Sequence, residues 1–492
     1  MNKPPIRAAG DAVLWQSFQM GSVKAVYLAR LVILAILLTP ADFGLFAIAT
    51  AASGLLQNLT NFAMVPALVQ AQDLDEAKYA AAWTFDMARS LLVTVVTIIA
   101  APFIASIFAE PMALHLIQAM AIRPLLESMV SIKVAALNRN LTFRPLSFIK
   151  IVEAVINAIV SVALARSYGV WAMVFGMLIG GMAMVIASYL LAPYRPRILF
   201  DWKSVRPLMK FGGWILLTGV ISMVGHFGLR IVISRQVGAE GLGLYFLAAQ
   251  LAFLPSEVAS EVVGAVSFPL YSRLQSELHQ AARAFQAILT SLMALLYPVS
   301  ALIIVMSPIL VTEVLGSKWD GTVPLIQILA LVTMIALLGD ATIPLVKGFG
   351  QTYRVTQIEL VQSSLLIALI WFFTGQYGVV GAALAWLPAI IGVQILCIYF
   401  IQDIFHDPLK ETRRPLLAIL LATAAGMGIS YLAISLSPNI LGLLLAAALA
   451  VFLTGSILWF LDQRYSLGLI RNLVIAFPQV ASIFNLRNTK IG

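Results

Sequence analysis

The sequence predicts an all-α integral membrane protein of fourteen transmembrane helices, arranged as two pseudo-symmetric six-helix lobes followed by two C-terminal helices. Of its 492 residues 61% are hydrophobic and only 11% charged, with a mean hydropathy of +0.96, which is far too apolar for a soluble globular chain. Apolar runs near 20 residues recur along the chain. Lipid offers no partner to a free backbone N–H or C=O, so a spanning chain is helical or a closed barrel, and runs of this length select helices. The third observation is an internal repeat, which divides the spans into two sets.

The first span is expected near 14–38. Lys3 and Arg7 precede it, but the apolar stretch continues past Lys24 and Arg30 without a small-residue cleavage site, so it reads as a retained helix. Five more are expected near 43–67, 81–109, 112–137, 145–165 and 169–193. After a polar connection from Tyr194 to Lys210, spans follow near 211–236, 241–270, 284–311, 322–346, 355–374 and 378–402, then near 414–436 and 439–461. The expected organisation is an N-terminal lobe over 1–193, a cytoplasmic connection over 194–210, a C-terminal lobe over 211–402, and the last two spans with a cytoplasmic tail over 403–492. Pro255, Pro298, Pro344 and Pro388 fall within spans as candidate kinks. Gly176 and Gly180 have the spacing of a close helix contact. Trp15, Trp83, Trp171 and Trp319 lie near span ends, where an interfacial belt is expected.

Charge orients the spans. With the N-terminus inside, most Lys and Arg outside the spans fall on the cytoplasmic side, which places both termini there. The strongest marker is 194–210, with Arg195, Arg197, Lys203, Arg206 and Lys210. The acidic loop around Asp73, Asp75 and Glu76, with only Lys78, is the weakest. The net charge of +9 is dispersed over such short connections and forms no basic cluster suited to nucleic acid.

A shift of 199 residues sets Trp15 on Trp214 and Leu38-Thr-Pro-Ala-Asp-Phe-Gly-Leu-Phe on Val237-Gly-Ala-Glu-Gly-Leu-Gly-Leu-Tyr. A shift of 209 lays Leu116-Ile-Gln on Leu325-Ile-Gln and Tyr168-Gly-Val on Tyr377-Gly-Val. An even number of spans per repeat gives both lobes the same orientation, with substrate expected at their interface and alternating access by rocking lobes.

At these positions the chain resembles the polysaccharide transporter family, the WzxC-like branch of the MOP flippase superfamily that also holds the multidrug and toxin extruders. The resemblance covers about residues 10 to 400. Its carriers are Leu38-Thr-Pro-Ala-Asp-Phe-Gly-Leu, Asn138-Arg-Asn-Leu-Thr-Phe-Arg-Pro-Leu, Tyr168-Gly-Val-Trp-Ala-Met-Val, Gly238-Ala-Glu-Gly-Leu-Gly-Leu-Tyr and Phe268-Pro-Leu-Tyr-Ser-Arg-Leu. It implies the MOP flippase fold of fourteen spans and export of undecaprenyl-diphosphate-linked oligosaccharides across a bacterial inner membrane, for exopolysaccharide, capsule or lipopolysaccharide biosynthesis. The implied partners are the lipid-linked substrate, membrane lipids, and polysaccharide polymerase and chain-length regulator proteins. The chain departs from the family where an Asp often precedes an arginine of the seventh span: Leu229 precedes Arg230, and no role of that Asp transfers.

An ionised side chain at mid-span costs about 2.5 to 3.5 kcal/mol on an insertion scale, so such groups are expected to pair or face a cavity. Asp86 with Arg89, Arg123 with Glu127 and Lys150 with Glu153 stand three or four residues apart and are expected to neutralise one another. Lys24, Arg30 and Arg230 have no acidic residue at helical spacing, and the 199 shift puts Arg30 on Leu229, beside Arg230. Guanidinium groups give a diphosphate bidentate, charge-assisted donors. Lys24, Arg30, Arg89, Arg123 and Arg230 are therefore the candidate substrate-binding residues, with contacts to other helices and snorkelling as the other readings. Glu257 and Glu261 stand four apart on span eight without an intrahelical basic partner. Together with Asp340 they are candidates for binding a coupling proton or Na⁺, or for closing a gate.

Catalysis is not expected. Asp73-Leu-Asp75 has the spacing with which glycosyltransferases hold a metal, but no soluble domain accompanies it, and a solvated loop is the simpler reading. The one cysteine, Cys397, supports neither an intrachain disulfide nor a metal cluster, and no cofactor motif is present. A small-molecule antiporter of the same superfamily and a non-transporting scaffold of polysaccharide assembly stay open as alternatives.

Overall fold

The computed structural model describes residues 5–60, 64–70, 75–140, 142–405, 412–437 and 439–465. Every regular element among them is helical. In chain order these are α1 (Pro5–Leu37), α2 (Pro40–Leu59), α3 (Met64–Gln70), α4 (Glu76–Phe108), α5 (Ala113–Met120), α6 (Arg123–Ser128), α7 (Val134–Arg139), α8 (Phe143–Tyr168) and α9 (Val170–Leu191). Then come α10 (Trp202–Arg273), α11 (Leu278–Ile309), α12 (Thr322–Gly348), α13 (Thr352–Leu384), α14 (Trp386–Ile404), α15 (Arg413–Leu436) and α16 (Ile440–Tyr465). Eleven spans among the described residues are long and apolar enough to cross a membrane.

Helix α4 shows the logic of a lipid solvent. Leu92, Val95, Val96, Ile99 and Phe103 form an exposed stripe at helical spacing, while its buried side carries Ser90, Val93, Thr94, Thr97, Ala101 and Ala105. Large apolar groups face outward, and small or hydroxylated ones face neighbouring helices, where close packing and hydrogen bonds hold the elements together. Thr94 donates to the Ala121 carbonyl at 2.8 Å, and Ser53 on α2 to that of Met120 at 2.9 Å.

By internal contacts the chain divides into two compact units, Met1–Gly243 and Leu244–Gly492. In the first unit α8 packs on both α1 and α9. The Gly176 and Gly180 spacing lies on the α8–α9 contact: a Cβ on Gly176 would meet the Asn157 carbonyl at 2.8 Å, and one on Gly180 the Glu153 carbonyl at 3.0 Å. The repeat motifs also meet within this unit. A Cβ on Gly44 would strike the Ala239 carbonyl, and one on Gly243 the Pro40 carbonyl. The 199 shift exchanges Gly44 with Gly243 and Pro40 with Ala239, so the two contacts are reciprocal. Thr39 and Asp42 form a capping box at the start of α2. The Ala239 N–H, just past a break at Gly238, is instead held by Glu110 Oε1 at 2.7 Å. In the second unit α11, α12, α14 and α15 enclose a core that includes Phe285, Leu289, Leu345, Ile401 and Ile419, and Trp386 Nε1 donates to the Tyr245 hydroxyl at 2.8 Å.

Several elements differ from expectation. The expected fourth span, 112–137, is three short helices, α5 to α7; Pro124 opens α6 and turns separate it from its neighbours. The second is split between α2 and α3 around undescribed residues, whereas α10 is two helices that meet at a break at Gly238, between the bounds expected for the seventh and eighth spans. Helix breaks fall at glycines and not at the candidate prolines: Gly238 has φ 71° inside α10, and Gly378 has φ 59° inside α13. Pro298 and Pro344 lie in helices that continue through them. Gly378 and its repeat partner Gly169 share a conformation, φ 59°, ψ −144° and φ 54°, ψ −131°, open to glycine because it lacks a Cβ. Trp319 is fully buried, so it belongs to the core and not to an interfacial belt.

Candidate functional site

The first unit contains a cavity of about 610 Å³ among α1, α4, α6, α8 and α9. Gln16, Gln19 and Tyr27 line it from α1, Asp86 from α4, Arg123 and Glu127 from α6, Lys150 and Glu153 from α8, and Met177 from α9. The α8–α9 glycine contact packs Gly176 and Gly180 against Glu153, Asn157 and Ser161 of α8, of which Glu153 lines the cavity.

Each carboxylate here has protein donors. Arg89 Nη2 pairs with Asp86 Oδ1 at 2.8 Å and Arg89 Nη1 donates to the Thr60 hydroxyl at 3.0 Å. Arg123 Nε pairs with Glu127 Oε1 at 2.9 Å, and Gln57 Nε2 donates to the other oxygen of Glu127. These are the expected ion pairs. The third expected pair does not form: Glu153 receives the Tyr27 hydroxyl, at 2.8 and 2.9 Å to its two oxygens. Lys150 Nζ is instead directed at Met184 Sδ, 3.7 Å away.

Donor capacity is therefore left over. Arg30 Nε donates to the Ser161 hydroxyl at 3.1 Å, and that hydroxyl donates to Asn157 Oδ1 at 3.2 Å. Arg30 Nη2 is buried with no hydrogen-bond partner among the described residues. The charged groups that line the cavity are Arg123 and Lys150 with Asp86, Glu127 and Glu153, so its walls are of mixed charge and not cationic as expected. Arg89, paired with Asp86, and Arg30, close to Tyr27, Glu153 and Arg123, stand behind the lining. Lys24 on α1 and Arg230 on α10 are half-buried, outside the residues that line this cavity. Beyond Arg230, Ser234 donates to the Phe108 carbonyl at 2.7 Å and Arg235 to that of Ile107 at 2.6 Å, which ties α10 to the end of α4.

In the second unit Asp340 lines a separate cavity of about 450 Å³ with Ser260, Phe268, Pro344 and Lys347. Glu257 and Glu261 are exposed on α10 and do not line it. Gln394 is buried beside Gly339, and both its amide atoms lack partners among the described residues. Asp73 lies outside the described residues, while Asp75 caps α4 through the Lys78 N–H at 2.7 Å. That local capping role accounts for Asp75 without a metal. Sequence reading missed Tyr27 and Gln394, because nothing in their local spacing marks them. It assigned Lys150 to a pair it does not make.

A model of the polysaccharide biosynthesis protein family matches residues 33–324. The chain belongs to this family. It is a family of polysaccharide transporters, and the chain is a multi-pass membrane transporter and not an enzyme. Among its relatives, the teichuronic acid biosynthesis protein TuaB of Bacillus subtilis is 26% identical over 433 residues, 85% of each chain. The succinoglycan biosynthesis transport protein ExoT of Rhizobium meliloti is 24% identical over 358 residues, 69% of this chain and 72% of that one. The lipopolysaccharide biosynthesis protein WzxC of Escherichia coli is 20% identical over 394 residues, 79% of each. Among solved structures, the lipid II flippase MurJ superposes with a TM-score of 0.77 at 16% identity, over 92% of this chain and 99% of that one. An inward-facing multidrug transporter of the MOP superfamily gives 0.59 at 15%, over 84% and 98%. The transporter thus has the MOP fold.

Proposed function

We propose that this transporter is a flippase that moves undecaprenyl-diphosphate-linked oligosaccharide repeat units from the cytoplasmic to the periplasmic leaflet of a bacterial inner membrane, for exopolysaccharide, capsule or lipopolysaccharide biosynthesis. The observation that carries the reading is the cavity of the first unit and the arginine behind its wall. Among the described residues Lys150 meets only a thioether and the lining carboxylates are engaged, while Arg30 Nη2, close to the lining residues Tyr27, Glu153 and Arg123, is buried without a partner. Burying an unsatisfied guanidinium is costly unless a ligand takes up its donors. A diphosphate does so with charge-assisted bonds. Relatives that serve the biosynthesis of teichuronic acid, succinoglycan and lipopolysaccharide support a saccharide cargo.

In this reading fourteen spans form two lobes, 1–193 and 211–402, that rock to expose the substrate to each side in turn; both termini are cytoplasmic, and 403–492 adds the last two spans. Lys24, Arg89, Arg123 and Arg230 supplement Arg30 along the path, and Glu257, Glu261 and Asp340 serve ion coupling or gating. The test is accumulation of lipid-linked repeat units in a deletion strain, complemented by wild type, Arg30→Ala, Lys150→Ala or Arg230→Ala at matched membrane levels. The expected result is precursor piling up on the cytoplasmic face, relieved by wild type and not by Arg30→Ala. Normal precursor turnover and polymer export in the deletion, in a strain without a redundant flippase, would overturn the reading and favour a small-molecule antiporter.

A further inference from the structure

We infer that the connection between α9 and α10 is a membrane-surface anchor that binds anionic lipid headgroups. The segment is pinned in place. Thr84, near the start of α4, donates its hydroxyl to the Arg197 carbonyl at 3.2 Å and accepts from the Leu199 N–H at 3.0 Å. The Tyr194 ring packs against Trp83 with centroids 6.3 Å apart. A carbonyl and the N–H two residues on point the same way in an extended chain, and side chains there alternate between faces. Ile198 and Phe200 share one face and are 77% and 78% exposed, while Arg195 and Arg197 are exposed on the other.

An ordered segment that holds two large apolar side chains outward is unfavourable in water, and a loop read as merely solvated would not carry them. This one begins three residues after α9 ends at Leu191, so it lies at the edge of the hydrocarbon. Residues 194–210 also carry Arg195, Arg197, Lys203, Arg206 and Lys210 against the single acid Asp201. Apolar Ile198 and Phe200 beside the exposed Arg195 and Arg197 match a surface whose headgroups are anionic and whose interior is apolar. Given the cytoplasmic side proposed for 194–210, that surface is the inner leaflet. The inference stands whatever the transporter carries.

Cys397 is buried, so Phe200→Cys in a Cys397→Ala background takes one environment-sensitive label. The labelled full-length protein is compared in nanodiscs of phosphatidylcholine alone and of phosphatidylcholine with phosphatidylglycerol. With the anionic lipid, the label's emission is expected to shift to the blue and to be quenched by lipids bearing a nitroxide near the headgroup. Each of Arg195→Gln and Arg197→Gln is expected to lower the ratio of membrane-engaged to free label about fivefold. The lipid comparison needs no arginine variant, so a folding defect cannot imitate it. Equal quenching by aqueous iodide in both bilayers overturns the inference. A blue shift that follows protein concentration in detergent and ignores lipid charge also overturns it, in favour of contact with a second copy.

Discussion

Glu153 and Lys150 stand three residues apart on α8, a spacing that favours an ion pair, yet Glu153 takes the Tyr27 hydroxyl from α1 and Lys150 stays directed at Met184. The hydroxyl thereby keeps Lys150 available to an anion in the cavity. Tyr27→Phe is expected to destabilise the protein by about 1–3 kcal/mol by leaving a half-buried carboxylate short of a donor, and to lower export as Glu153 turns to Lys150. Adding Glu153→Gln is expected to restore part of the loss, because the two side chains act as one pair. Thermal unfolding of the four proteins in one detergent checks this, and strictly additive losses would show that the bond is not what holds Glu153. The same residues show where sequence reading stops. Asp86 with Arg89 and Arg123 with Glu127 were legible because the helix brings residues three or four apart together. Tyr27 bonds a residue 126 positions away, and Arg30 one 131 positions away; no local period encodes either contact.

Glycines decide where the helices break and how closely they approach. Gly169 and Gly378 share a positive φ and are repeat partners, so substitution is expected to strain both in the same way. Gly378 has no heavy atom within 4 Å of an added Cβ, which isolates backbone strain from packing. Gly378→Ala and Gly378→Asn are each expected to cost about 1–3 kcal/mol, because this φ/ψ pair lies outside the left-handed helical region that asparagine tolerates, read as midpoint shifts on heating. At the α8–α9 contact the cause differs. Gly180→Leu drives a side chain into Asn157 and the Glu153 carbonyl and is expected to cost about 1–3 kcal/mol or more, with loss of monodisperse protein after extraction. Gly428→Ala, in open space on α15, is expected to leave the elution profile unchanged. These elements were partly legible. The Gly176 and Gly180 spacing and the repeated Tyr-Gly-Val pointed to real features, and the apolar runs marked most of the helices. The division of 112–137 was hidden because a hydropathy window averages over the turns and over Arg123, Glu127 and Lys133 together with the apolar residues around them.

The length and apolarity that mark eleven spans become fourteen crossings if Gly219–Glu261 crosses twice and α2 and α5–α7 each cross once. At about 1.5 Å per residue, the 43 residues of Gly219–Glu261 extend some 65 Å, about twice the hydrocarbon thickness, and Gly238 breaks them midway. The doubtful segment is α5–α7, and contacts within the first unit constrain it by parity. Glu110 bonds the Ala239 N–H, so the two lie at the same side of the bilayer. Between them run α5–α7, α8, α9 and the first part of α10, and three crossings without α5–α7 would leave the ends on opposite sides. Thr84 and Arg197 close a second loop, through α4, α5–α7, α8 and α9, with the same requirement. Charge agrees: were α5–α7 not to cross, the five cations of 194–210 would be external, against the positive-inside bias. Single cysteines in the Cys397→Ala background and a membrane-impermeant thiol reagent on intact spheroplasts test this. Arg166→Cys and Lys318→Cys are expected to react from outside, and Arg139→Cys and Lys347→Cys only after permeabilisation. External reaction at position 139 without reaction at 166 would mean that α5–α7 turns back on the side it entered. The first repeat would then contain an odd number of crossings, and the two copies would be inverted. Inversion would put Pro40–Gly44 and Ala239–Gly243 at opposite faces of the membrane, which the reciprocal glycine contacts between them do not allow.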